Sequence, residues 1–312
     1  MCVVWSEIKT ARREAAIVED RGWGPTLLLC LAIVLAAATV VVARPLAADA
    51  AGRPHTHGHA RSLSSVKATA GHRVRRVPHI TPGDAQSPNW SGYVAYSPAG
   101  TSGFNEVSAT WVQKAVTCPK NDAWTLFWVG FDGWPSNEPT ADSSVEQGGT
   151  SAQCVKGVPH YNAFYEMWPT HAVVPQFPVE PGDHIAANVV YSDGQFIITV
   201  TDKTSKPIQT FTQNETCGTN LTCPRTSAEW IAESPSHFGT NKWFPLANYG
   251  AMDFANATAT DAQGVSGPIQ DSQWQDKAIE RMIAGTKQAL AKVTPLQTSN
   301  GTSSFTDMWK RR

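Results

Sequence analysis

Residues 125–150 offer an indole, a carboxylate and an amide in a pattern that local geometry can gather. A strand turns successive side chains to opposite faces, so Phe127, Val129 and Phe131 fall on one side and Trp128, Gly130 and Asp132 on the other. The apolar set faces a core, which leaves Trp128 and Asp132 on a face open to chemistry. After a polar loop, Val145 and Gln147 share a face of a second strand. Gly148 and Gly149 follow, and their missing side chains would let a substrate backbone approach closely. The run YNAFYEMWP, beginning at Tyr161, puts Asn162, Phe164, Glu166 and Trp168 on one face. The run SAEWIAE, beginning at Ser227, does the same for Glu229, Ile231 and Glu233. Each of these acids has apolar and aromatic neighbours, and desolvation raises a carboxyl pKa unless hydrogen bonds oppose it. Glu229 and Glu233 are roughly 13 Å apart along an extended strand, so they do not form a close catalytic pair. A partner for Glu229 must come from another strand. A solvated sheet face with scattered acids would produce any one of these segments. Three in one chain favour a site.

The elements that must hold these residues read almost wholly as β. Residues 89–96 open this region, and residues 106–112 alternate. Ile185, Ala187, Val189 and Tyr191 lead to Asp193-Gly194, and Phe196, Ile198 and Val200 lead away. Asp-Gly between alternating runs is a strong hairpin signal, and Asn300-Gly301 repeats it near the C-terminus. Short strands punctuated by Gly, Pro and Asn predict an antiparallel two-sheet β-sandwich. Residues 270–290 lack a clean apolar stripe and receive no assignment. No P-loop, G-x-G-x-x-G or G-x-S-x-G motif occurs.

The chain divides by composition. Arg12, Arg13 and Arg21 precede an apolar run over residues 27–42, and Ala48-Asp49-Ala50 follows as an A-x-A site. Residues 1–50 therefore read as a secretory signal with a long leading segment, the alternative being an uncleaved anchor. Residues 51–88 carry six Lys and Arg against Asp84 alone, with five His, and show no apolar period. This is a basic pro-segment without a core of its own. His55, His57 and His59 lack a scaffold that would make them a metal site, and an exported chain gives a nucleic-acid tail little use. From Asn89 to the end there are 14 Lys and Arg against 20 Asp and Glu, a net charge of −6. The two segments attract at neutral pH. Cys118, Cys154, Cys217 and Cys223 remain after the leader. An even number in an exported chain predicts disulfides. Three pairings exist; the expectation is Cys118–Cys154, flanking the opening stretch, and Cys217–Cys223, flanking a short loop. No C-x-x-C or His pair suggests zinc.

Five motifs in order, NWSGY at 89–93, WVGFDG at 128–133, EQGG at 146–149, YEMWP at 165–169 and AEWIAE at 228–233, resemble the eqolisin family of glutamic endopeptidases. The resemblance covers about residues 89–260. It implies a sandwich of the concanavalin A-like lectin and glucanase kind. It also implies a catalytic Gln and Glu, falling on Gln147 and Glu229, with Trp128, Asp132 and Glu166 lining the cleft. Asn162 and Met167 depart from the family's pattern, which bears on subsites more than on chemistry. Glu229 would act as general base and acid on an attacking water, and Gln147 would stabilise the oxyanion. The implied protein is a secreted, extracellular, acid-active monomer acting on polypeptides. It needs no cofactor or metal and keeps no stable membrane association after signal cleavage. Its own pro-segment is the expected inhibitor. The competing readings are a glycoside hydrolase using Glu166 and Glu229, or a carbohydrate-binding module on the same sandwich. A Gln at the centre discriminates, because a glycosidase has no use for it. Asn-x-Ser/Thr sequons stand at Asn89, Asn214, Asn220, Asn256 and Asn300.

Overall fold

The computed structural model describes residues 85–97, 103–134, 144–219, 221–237, 242–282 and 288–311. The leader, the basic segment up to residue 84 and their histidines lie outside the described residues. The strands are β1 (Ala85–Ser87), β2 (Trp90–Tyr96), β3 (Phe104–Val112), β4 (Ala123–Phe131), β5 (Val145–Val155) and β6 (Val158–Trp168). They continue as β7 (His184–Ser192), β8 (Gln195–Asp202), β9 (Gln209–Thr216), β10 (Ser227–Glu233) and β11 (Ala251–Asp261). The last are β12 (Ser266–Pro268), β13 (Gln275–Met282), β14 (Ala289–Val293), β15 (Gln297–Ser299) and β16 (Thr302–Trp309). No helix occurs among the described residues. The unassigned stretch 270–290 supplies β13 and the start of β14.

Neighbouring strands follow the order β6-β5-β4-β10-β2-β13-β14-β16-β11-β3-β7-β8-β9. All of these pairings are antiparallel, and β1 adds a short parallel pairing to β13. The succession folds over on itself, so β4 lies against β3 and β7, and β5 against β7 and β8. The result is a two-layer antiparallel sandwich. Its core holds Phe127, Val129 and Phe131 of β4, Trp230 of β10, Trp111 of β3 and Ile198 of β8. Trp230 also donates its indole N–H to the Ser108 carbonyl at 2.8 Å. Truncating such a buried Trp costs about 3–5 kcal/mol.

Burial grades across the layers in the way their sequences suggest. β8 alternates buried and half-buried residues because one face packs inward. β10 is buried at every position and β4 at all but one. Their outer faces are covered by a second apolar cluster of Trp90, Val94, Leu126, Trp128, Trp134, Val145, Phe164 and Ile231. The hairpin tips sit where the sequence puts them. Asp193 and Gly194 have φ of 53° and 78°, and Asn300 and Gly301 have 51° and 74°. Both disulfides form as expected, Cys118–Cys154 and Cys217–Cys223.

Candidate active site

Register gathers the chemistry on the outer face of the layer that contains β4. Glu166, Gln147, Gly130 and Glu229 stand opposite one another on β6, β5, β4 and β10. Two residues along, the row is Phe164, Gly149, Trp128 and Ile231; four along, it is Asn162, Ser151, Leu126 and Glu233, with Trp90 on β2 beside Glu233. Gly130 is required here. A Cβ at that position would lie 2.6 Å from the Glu146 carbonyl and 3.0 Å from the Gln147 Cβ. The di-glycine serves the protein's own packing rather than a substrate. A Cβ on Gly148 would meet Ile198 at 2.4 Å, on the core side, and one on Gly149 would meet the Phe127 carbonyl at 2.0 Å.

Gln147 and Glu166 are brought together. Gln147 Nε2 donates to Glu166 Oε2 at 2.9 Å, while Gln147 Oε1 is buried without a hydrogen-bond partner. Glu166 is pushed up to about 8, first by burial and then by the charge of Glu233, with the Ala172 backbone N–H pulling the other way. It is therefore a neutral acid at acidic and neutral pH.

Two carboxylates on β10 share the outer face and differ sharply in surroundings. Glu229 is wholly buried, and neither of its oxygens is in hydrogen-bonding geometry with a partner. Burial pushes it well above the usual carboxylate range, and the nearby Ser227 hydroxyl only partly offsets this. Glu233 is 7% exposed. Its Oε2 accepts from Trp128 Nε1 at 2.9 Å, and its Oε1 accepts from Asn89 Nδ2 at 2.9 Å. Trp128 is pinned in turn by an edge-to-face contact with Trp90, centroids 5.0 Å apart.

Asp132, expected in the cleft, is buried and spends its carboxylate on backbone N–H groups. The residue follows the end of β4 with φ 65° and is 1% exposed. Its carboxylate accepts from the backbone N–H groups of Arg225 at 2.7 Å and Thr226 at 2.8 Å. Burial raises it to about 6 against those two bonds. Glu146, opposite Phe131 on the core-facing side, is pushed well above its usual range by burial and by the charge of Asp132. Asp132 thus ties the end of β4 to the chain entering β10.

The sequence reading named Glu233 on the shared face, and Asn89 and Trp90 within NWSGY, but gave none of them a role in the site. The signal was present for the first: alternation puts both acids of AEWIAE on one face, and nothing local says which one is covered. Among the described residues no group of three or more His, Cys, Asp or Glu side chains could hold a metal ion.

A buried amide beside a neutral carboxyl, a second carboxylate gripped by two N–H donors and an aromatic wall lie together on one face of the β-sandwich. The peptidase A4 family model matches residues 88–305. The fold resembles that of scytalido-glutamic peptidase bound to a peptide-based transition-state analogue, at 21% identity and TM-score 0.56, covering 72% of this chain and 98% of that one. It equally resembles SCP-B, a member of the eqolisin family in complex with the tripeptide Ala-Ile-His, at 22% identity and TM-score 0.55, with the same coverage. No curated protein sequence matches the chain. The chain belongs to the peptidase A4, or eqolisin, family of glutamic peptidases, and it hydrolyses peptide bonds.

Proposed function

We propose that this chain is an exported, acid-active endopeptidase whose dyad is Gln147 with Glu233. The observation that carries the choice is the contrast on β10. A general base must reach water and substrate and must be held as a carboxylate. Glu233 has an opening and two donors that favour the ionised form, whereas Glu229, to which the sequence reading gives the role, is sealed. In this reading Glu233 takes a proton from the attacking water as the carbonyl carbon is struck. It then delivers that proton to the departing nitrogen. One Nε2 hydrogen of Gln147 is engaged by Glu166, and the other is available to the developing oxyanion. The unpartnered Oε1 of Gln147 is available to orient the water. Glu166, neutral below about pH 8, holds the amide without adding a negative charge next to the oxyanion.

Acid operation is supported by this neutral Glu166 and by the ease of protonating the leaving nitrogen. Export is supported by the apolar leader and by the two disulfides, which persist in oxidising surroundings. The basic segment is proposed as an inhibitor, because its positive charge opposes the net −6 of the rest of the chain. The two-carboxylate glycosidase reading is disfavoured by register. Gln147, an amide, stands between Glu166 and Glu229 in their row, and Glu229 is sealed from solvent.

The test is digestion of a denatured protein across acidic pH with pepstatin present, run on Glu233→Gln and Glu229→Gln side by side. Glu233→Gln should lose activity by orders of magnitude with the fold intact, and Glu229→Gln should keep it. The reverse outcome would return the base to Glu229.

A further inference from the structure

Resting on the assignment of Glu233 as base, we propose that Asn89, backed by Ser87 on β1, is the positioning residue for that carboxylate. Residues 87–89 must therefore stay with the enzyme when any preceding segment is removed.

Asn89 is fully buried and lies between β1 and β2. Its Nδ2 donates to Glu233 Oε1 at 2.9 Å, and its Oδ1 accepts from Ser87 Oγ at 3.2 Å. The hydroxyl of Ser87 accepts in turn from the backbone N–H groups of Asn89 at 3.3 Å and Trp90 at 3.0 Å. The amide is thereby fixed in one orientation, with its N–H toward the acid. A second constraint comes from the chain itself. The Asn89 carbonyl accepts from the Ser234 N–H at 3.0 Å, immediately beyond Glu233. Backbone and side chain of Asn89 therefore bracket the same residue. Ser87 is held by the pairing of β1 with β13, so a strand of three residues supports the base from behind. The same burial removes the Asn89 sequon from use, since a committed, solvent-free amide cannot carry a glycan.

Trp128 supplies the second donor, to the opposite oxygen. The indole fixes one end of the carboxylate and Asn89 the other, which leaves the in-plane rotation of Glu233 determined. The titratable groups on the same face are Glu166 on β6 and Glu229 on β10, with Lys277 on β13 in the row of Val94 and Glu229. All three are unchanged by substitution at Asn89 or Ser87.

The experiment compares Asn89→Leu and Ser87→Ala, in enzyme matured from the full chain, with wild type and with Glu233→Gln. Loss of a donor to the ionised form should move the acid limb of the kcat profile to higher pH. It should also lower kcat roughly 10- to 100-fold for Asn89→Leu, the loss expected for a hydrogen bond to a charged group, with KM little changed. Ser87→Ala should shift the limb in the same direction by less. A merely structural role would lower the thermal midpoint and leave the limb in place, which overturns the proposal. If Asn89→Leu does not fold, the limb of Ser87→Ala decides alone. Full activity in Glu233→Gln overturns the assignment of the base. An inactive Glu233→Gln with unshifted limbs in the other two variants overturns only the role of Asn89.

Discussion

Gln147 and Glu166 were readable as separate site residues by type but not as a pair: their contact depends on β5 and β6 pairing so that one faces the other. The structure makes their roles separable by experiment. Gln147→Ala removes the donor to the oxyanion and should lower turnover by about 10²–10³, with a smaller effect on KM. Glu166→Gln is close to silent at acidic pH, because Glu166 is already uncharged below about 8 and Gln copies its neutral shape. Only as pH rises through that value should wild type and variant diverge. Steady-state kinetics of both variants from acid to mildly alkaline pH checks this. Equal losses at acidic pH would mean that Glu166 acts as more than a neutral prop for the amide. Glu229 shows where residue-level reading stops. Its type, spacing and face all match those of Glu233, and only the cover supplied by distant elements separates them.

The strands themselves were legible where the signal is local. Asp193-Gly194 and Asn300-Gly301 set their hairpins through left-handed backbone at the tip. The cysteines that flank a short loop close that loop. The insertion of β10 between β4 and β2 was not legible, since β10 pairs with segments about 100 and about 140 residues earlier in the chain and leaves no mark in the sequence of either. β1 was missed for a related reason: three residues are too few to show alternation, and Ser87 is recognisable only through the groups it touches. The di-glycine was read for the wrong partner. Gly149 makes room for the Phe127 carbonyl of the adjacent strand, 2.0 Å from where a Cβ would stand. The obstacle is backbone in the middle of a sheet, so it cannot swing aside as a side chain would. Gly149→Ala should therefore cost about 3 kcal/mol or more, read as a fall in the denaturant midpoint, or prevent folding. Gly182→Ala is the control. It lies in a turn at φ 101° with nothing within 4 Å of the new methyl, so its cost is limited to backbone strain of about 1–2 kcal/mol. Similar losses in the two variants would mean that the sheet can spread at β4–β5, and the close approach would lose its significance.

At the scale of the whole molecule the buried acids set a direction for stability against pH. Asp307 is fully buried and is pushed from 3.8 up to about 7, by desolvation, against a hydrogen bond from Tyr249 at 2.6 Å. Asp132 rises to about 6, and Glu146 and Glu229 rise well above their ordinary value, again mainly through burial. Each of these groups holds its proton more tightly folded than unfolded. The folded state thus binds more protons across the interval between the two pKa values, and its stability declines as pH rises through it. For Asp307 the full contribution is present below about pH 4 and is lost as pH rises through about 7; a shift of this size corresponds to on the order of 4 kcal/mol. The thermal midpoint should therefore be highest in acid and fall steadily between about pH 4 and 8, the reverse of a protein held by paired surface carboxylates. Asp307→Asn preserves the acceptor for Tyr249 and cannot ionise, so the variant should lose part of that slope while matching wild type in acid. Calorimetry or thermal circular dichroism of both proteins over this range provides the measurement. A wild-type midpoint that is flat or rises from pH 4 to 8 would show that the buried carboxyls are ionised and compensated in the native state. The acid-adapted character of the fold would then have to be abandoned, although the dyad would be untouched.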